Sequence, residues 1–143
     1  MKLKVLGSSS RGNCYILESP TGTLLLDAGV PFKEIQKGLD FQFSKVWGCL
    51  LTHEHGDHSK GIKDLMKYGV PVFSSIETFK ALGVDSRHSA NSVKNGQQFN
   101  WGDFTILPFD TQHDAKEPLG YLIQYRPTGE KLLFATDTYY LRN

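Results

Sequence analysis

Thr52-His53-Glu54-His55-Gly56-Asp57-His58 places three imidazoles and two carboxylates within seven residues. Packing gives no reason for such a cluster. A cation does, because neutral imidazole nitrogen and carboxylate oxygen are ligands of borderline divalent ions. At this chain's own histidine and aspartate frequencies, a His-x-His-x-Asp-His string arises by chance in about one of several thousand such chains. His53, His55 and Asp57 alternate, so an extended segment leaving a strand turns them to one side. His58 falls at the expected start of the next helix, where the turning chain re-aims it. Gly56 is expected to allow a tight backbone between them. The stretch therefore offers two imidazoles to one cation and an Asp–His pair to a neighbouring one. Zn2+ suits these donors first, with Mn2+ or Fe2+ as alternatives.

The flanks supply the frame. Val46 to Leu51 is an apolar strand that runs directly into the motif. Ile62, Leu65 and Met66 behind it have helical spacing, and Gly69 stops that helix. Upstream, Lys2 to Leu6 reads as a strand and Gly7 to Asn13 as a loop. Cys14 to Glu18 and Thr23 to Leu26 read as a hairpin about Ser19-Pro20-Thr21-Gly22. Leu24-Leu25-Leu26 is continuously apolar, as for a strand covered on both faces, and it ends in Asp27-Ala28-Gly29. Pro31 to Leu39 is expected to be helical, with Pro31 at the first helical position.

Downstream, Val70 to Phe73 is a short strand and Ile76, Phe79 and Leu82 mark a helix ended by Gly83. Phe104 to Phe109, Tyr121 to Tyr125 and Leu132 to Ala135 are strands, with turns at Asn95-Gly96, Trp101-Gly102 and Pro127-Thr128-Gly129. Strands, then alternating strands and helices, then strands again predict a mixed α/β (α+β) fold with helices on the outer face.

Further ligands are sought at other strand ends. His113 follows the strand Phe104 to Thr111, and Asp137 follows Leu132 to Ala135, where a carboxylate is well placed to bridge two metals. His88 sits in a polar stretch and reads as a surface residue.

Composition sets wide bounds. With 143 residues, 39% of them hydrophobic and 22% charged, the chain reads as one domain, 1–143. A chain of this size hides roughly 70% of its unfolded surface. A net charge of +1 gives no global reason for capture of nucleic acid or of an anionic membrane. Cys14 and Cys49 lie in apolar runs and read as buried free thiols. No leader and no run of membrane-spanning length is visible, so the cytoplasm is the expected compartment and no membrane partner is expected.

Taken together, His-x-His-x-Asp-His after an apolar strand, a later His113 and Thr136-Asp137-Thr138 after another strand resemble the metallo-β-lactamase superfamily. Leu6-Gly7-Ser8-Ser9-Ser10-Arg11-Gly12-Asn13-Cys14-Tyr15, Leu24-Leu25-Leu26-Asp27-Ala28-Gly29 and His113-Asp114-Ala115 with Pro118-Leu119-Gly120-Tyr121 look like its YycJ-like (WalJ-like) branch. The resemblance implies an αββα sandwich, of which this chain supplies the N-terminal portion. It implies a first metal on His53, His55 and His113, a second on Asp57 and His58, and Asp137 as the bridge. Asp27 would orient ligands from behind; read alone, it is a turn residue after a strand.

Relative to the family pattern, a last histidine beyond Asp137 is missing. The expectation is therefore a truncated chain, with a homodimer that completes the fold in trans as the alternative.

Two neighbouring cations suit hydrolysis of a phosphodiester by a metal-activated hydroxide, with Asp57 accepting a proton. The expected function is a phosphodiesterase or nuclease acting on nucleic acid or a nucleotide. The alternatives are a thioester or lactone hydrolase of the same superfamily, and a non-catalytic metal-binding fragment. Lys60, Lys63 and Lys67 read first as a solvated helix face, and Tyr139 and Tyr140 as sheet packing or a base stack.

Overall fold

The computed structural model describes residues 1–111 and 114–135. Among the described residues, ten strands lie in two sheets. The first has six strands in spatial order, β1 (Lys2–Ser9), β2 (Gly12–Glu18), β3 (Thr23–Leu26), β4 (Val46–Leu50), β5 (Val72–Ser74) and β6 (Ala90–Ser92). The second has four, in the order β10 (Lys131–Phe134), β9 (Leu119–Tyr125), β8 (Phe104–Asp110) and β7 (Phe99–Trp101).

β1, β2 and β3 pair antiparallel, whereas β3, β4, β5 and β6 run parallel. Parallel neighbours need crossovers, and these carry the helices: α1 (Phe32–Gly38), the short α2 (Gly56–Ser59) with α3 (Ile62–Lys67), and α4 (Ile76–Leu82). Crossovers of one hand put all of them on one face of the sheet.

The two-residue alternation of the strands divides the core in two. Cys14, Ile16, Leu25, Cys49, Leu51 and Val72 face the helices, where they meet Ile35, Ile62, Leu65 and Phe79. Tyr15, Leu17, Leu24, Leu26, Leu50 and Phe73 face the second sheet, where they meet Phe104, Ile106, Tyr121, Ile123 and Tyr125. The triple leucine of β3 is thus covered on both faces, as its unbroken apolar run predicts. Among the described residues the layers are helices, sheet, sheet: three of the four layers of an αββα sandwich.

Several boundaries differ from the sequence reading. β1 continues to Ser9, past a register shift between Val5 and Gly7, and β2 starts at Gly12. The serine-rich stretch is therefore a hairpin with Ser10 and Arg11 at its tip, held by backbone pairing that polar side chains do not advertise. Pro31 is the N-cap of α1, with ψ at 142°, rather than its first helical residue. β6 and β7 have three residues each, too short to show a period. Gly83 ends α4 with φ +70°, as expected of a glycine C-cap. His88 is exposed, and both cysteines are buried free thiols.

The parallel strands all end at one edge of the sheet. Asp27 follows β3, Thr52 and His53 follow β4, and Ser75 follows β5. Because β2 runs antiparallel to β3, its first residues, Gly12 and Asn13, lie at the same edge. Leu119 N–H donates to the Thr52 carbonyl at 2.9 Å, which fastens the start of β9 there too. In open α/β sheets such an edge, outside the carboxyl ends of the strands, is where ligands bind.

Candidate metal centre

The motif leaves β4, bends at Glu54 and reaches His55 with φ and ψ of −56° and 142°. His55 caps α2, so Asp57 and His58 stand on a helical turn. This corrects the expectation that Asp57 continues the alternation of His53 and His55. The turn is tied by His58 N–H and Ser59 N–H, which donate to the His55 carbonyl at 2.9 and 3.0 Å. Gly56 is not needed for a tight backbone either, since a Cβ there would meet nothing within 4 Å. Gly29 is the residue that allows the close approach: a Cβ on it would run into the Asp57 carbonyl oxygen.

Three imidazoles converge. The rings of His53 and His55 meet edge to face with centroids 4.7 Å apart, and those of His53 and His58 are 4.2 Å apart. His53 is fully buried and His58 nearly so. Asp57 is about one third exposed, and its Oδ2 lies 3.5 Å from His58 Nε2. The motif thus opens to solvent on the Asp57 side.

Behind the rings stands Asp27, fully buried, with a left-handed φ of 59°. Aspartate tolerates that conformation better than most residues. Its carboxylate accepts from Thr52 N–H at 2.8 Å, from Thr52 Oγ1 at 3.0 Å and from His58 Nδ1 at 2.7 Å. A carboxylate accepts and does not donate, so Nδ1 of His58 carries a proton and gives it to Asp27. The same logic passes through Thr52. Its hydroxyl gives its proton to Asp27, so its oxygen accepts from His53 Nδ1 at 2.9 Å. One buried carboxylate therefore sets the tautomer of two imidazoles, directly and through a threonine. Burial pushes the Asp27 carboxyl above its ordinary value, and the hydrogen bond and charge of His58, with the Thr52 bonds, pull it back.

Asn13 completes the surround. Its Nδ2 donates to the Ser9 carbonyl at 2.9 Å and lies 3.3 Å from both the Asp57 carbonyl and His58 Nε2. From below, the buried Tyr121 hydroxyl donates to the Leu51 carbonyl at 2.7 Å, one residue before Thr52. Burial pushes that hydroxyl well up from its ordinary value, so it stays protonated and able to donate.

The sequence singled out His53, His55, Asp57 and His58, and the fold brings them together. His113 and Asp137 lie outside the described residues, as do Tyr139 and Tyr140. Among the described residues, no group of three or more His, Cys, Asp or Glu side chains stands in an arrangement that could hold a metal ion. The donor types still suit divalent cations: three imidazoles beside a carboxylate, with His53 and His58 each backed by a hydrogen bond at Nδ1. Sequence reasoning missed Asn13 and the relay through Thr52. The first stands at the start of β2 behind a serine-rich hairpin tip, and the second is a hydroxyl whose only cue is its place between a strand and a histidine.

Residues 23–143 match the model of the beta-lactamase superfamily domain. Among curated proteins, the chain is 32% identical over 153 aligned positions to the exodeoxyribonuclease YycJ of Bacillus anthracis, spanning 99% of this chain and 56% of that one. It is 31% identical over 150 positions to the exodeoxyribonuclease WalJ of Streptococcus pneumoniae, spanning 98% and 55%. The chain thus spans about half the length of the curated relatives it matches. Among solved structures, a metallo-β-lactamase from Cronobacter sakazakii superposes with a TM-score of 0.73 at 21% identity, over 97% of this chain and 64% of that one. The metallo-β-lactamase fold protein YhfI from Bacillus subtilis gives 0.72 at 20% identity, over 92% and 60%. Likeness at those identities speaks for the fold, and the family model speaks for descent. Layering, motif and family match agree: this chain belongs to the metallo-β-lactamase superfamily.

Proposed function

We propose that the cluster is a hydrolytic centre for two divalent cations, Zn2+ first, acting on phosphodiesters of DNA. The observation that carries this reading is the Asp27 network. It fixes a donating proton on Nδ1 of both His53 and His58, and His58 Nε2 lies beside Asp57. His53, His55 and His113 would hold one cation, Asp57 and His58 the other, and Asp137 would bridge. When bound, such a pair supplies Lewis acidity for the phosphoryl oxygens and a water pKa low enough for attack at neutral pH.

The protein's own part is orientation and proton handling. Asp27 and Thr52 keep the imidazoles in one tautomer. Asp57, about one third exposed, takes up a proton at its carboxylate. The substrate class is supported by the names of the relatives, both exodeoxyribonucleases. The cytoplasm as place of work is supported by the free thiols of Cys14 and Cys49.

The test pairs metal analysis of the purified protein with hydrolysis of bis-p-nitrophenyl phosphate and of end-labelled DNA. Two cations per chain, turnover of both substrates and loss of turnover in His55→Ala would support the reading. Undiminished hydrolysis in His55→Ala would refute the site. Turnover of thioesters or lactones alone would move the reading to that branch of the superfamily, and metal without any turnover would make the centre a binding site.

A further inference from the structure

Glu54 lies between two candidate ligands and belongs to neither cation in the reading above. The rings of His53 and His55 meet each other. Glu54 instead reaches across 62 residues of sequence, where its Oε2 accepts the Lys116 N–H at 3.1 Å. The segment it holds, Asp114 to Pro118, joins β8 to β9. The same segment is fastened by Ser75 Oγ, which donates to the Glu117 carbonyl at 2.8 Å, and it runs into Leu119, whose N–H donates to Thr52. The other carboxylate oxygen, Oε1, is buried and has no hydrogen-bond partner among the described residues. A buried carboxylate oxygen left so is costly, and nothing in the packing of a strand end requires a glutamate. Its one visible return is the clamp on Lys116.

We infer that Glu54 is a positioning residue of the metal centre: it locks the β8–β9 connection, which carries His113 in the sequence, to the strand end that carries His53 and His55. The inference rests on the metal reading above. β4 and the β8–β9 connection belong to different sheets, so a bond between the two segments sets how far apart they stand. Outer groups of this kind commonly change metal affinity by about 10- to 100-fold when removed.

The test compares Glu54→Ala, Glu54→Gln and Glu54→Asp with the parent protein. Two readouts are used: amide hydrogen exchange at Lys116 without metal, and cobalt(II) affinity with its visible spectrum. Glutamine keeps an acceptor at the same reach; alanine removes it, and aspartate withdraws it by one methylene. The expected result is faster exchange at Lys116, about 10- to 100-fold weaker cobalt(II) binding and an altered spectrum in the alanine and aspartate variants. The glutamine variant should restore all three. Should alanine fail to fold, aspartate carries the comparison with the motif otherwise intact. Unchanged exchange in the alanine and aspartate variants would overturn the clamp. Faster exchange with unchanged affinity and spectrum would overturn the positioning role. A parent protein that binds no cobalt(II) would sink the metal reading and the positioning role with it, while the exchange data still decide whether the clamp exists.

Discussion

Asp27→Asn is the most informative single change. The side chain keeps its shape, and asparagine accepts the left-handed backbone of this position. One oxygen can still take the Thr52 N–H, now 2.8 Å away, and the Thr52 hydroxyl. The other atom becomes an NH2 facing His58 Nδ1, 2.7 Å away. A donor now meets a donor. Either His58 moves its proton to Nε2, or a buried N–H is left without an acceptor at a cost of about 1–3 kcal/mol. At about 1.4 kcal/mol per factor of ten, metal binding at His58 should weaken by about 5- to 150-fold. Flipping the amide does not help, because the NH2 would then face both donors of Thr52. Competition with a chromophoric chelator measures the affinity, and nitrogen chemical shifts of the histidine rings report the tautomer. If His58 keeps its proton on Nδ1 and the affinity stays within about twofold, well inside the 1.4 kcal/mol that a tenfold change represents, the relay argument is wrong.

The same variant carries a pH signature. Burial holds the Asp27 carboxyl above its ordinary value. The native state then keeps that proton at a pH where the unfolded chain has lost it. Stability contributed by this group accordingly falls as pH rises from the ordinary carboxylate range through the raised value. Urea unfolding of the metal-free protein across the mildly acidic range should show a shallower fall in Asp27→Asn than in the parent; equal slopes would exclude this origin. Gly29→Ala should disrupt α2 and abolish metal binding, because its Cβ meets the Asp57 carbonyl, whereas Gly56→Ala should bind metal as the parent does. A tolerant Gly29 in a metal titration would refute the close approach. Tyr121→Phe removes the hydroxyl that donates to the Leu51 and Phe73 carbonyls and should cost about 1–2 kcal/mol in urea unfolding. Burial pushes the Cys14 thiol up to about 12 and the Cys49 thiol well above its usual value, so neither should react with a disulfide reagent at neutral pH until the chain unfolds. Rapid labelling of the native protein would contradict the packing.

The sequence by itself determined the frame of the site. The apolar run Val46 to Leu51 feeding His53, the helical spacing of Ile62, Leu65 and Met66, and the triple leucine ending in Asp27 are local signals. Each is set by the period of its own element, and each is realised at nearly the expected boundary. The cluster was legible for the same reason: His53, His55, Asp57 and His58 are close in sequence, so their meeting needs no knowledge of the fold. What tertiary structure alone decided is what comes from afar. Asn13 reaches His58 because β2 runs antiparallel to β3, and Glu54 finds Lys116 because the two sheets join at one edge. Thr52 becomes a relay because Asp27, one strand over, accepts its proton. Helical turning at Gly56, not alternation, places Asp57, since the turn depends on how Gly29 admits the α2 backbone. These partners lie far apart in sequence or on different strands. Hydrogen bonds between them leave no period or spacing in the chain, and only the packing of helices, sheet and sheet brings them within reach.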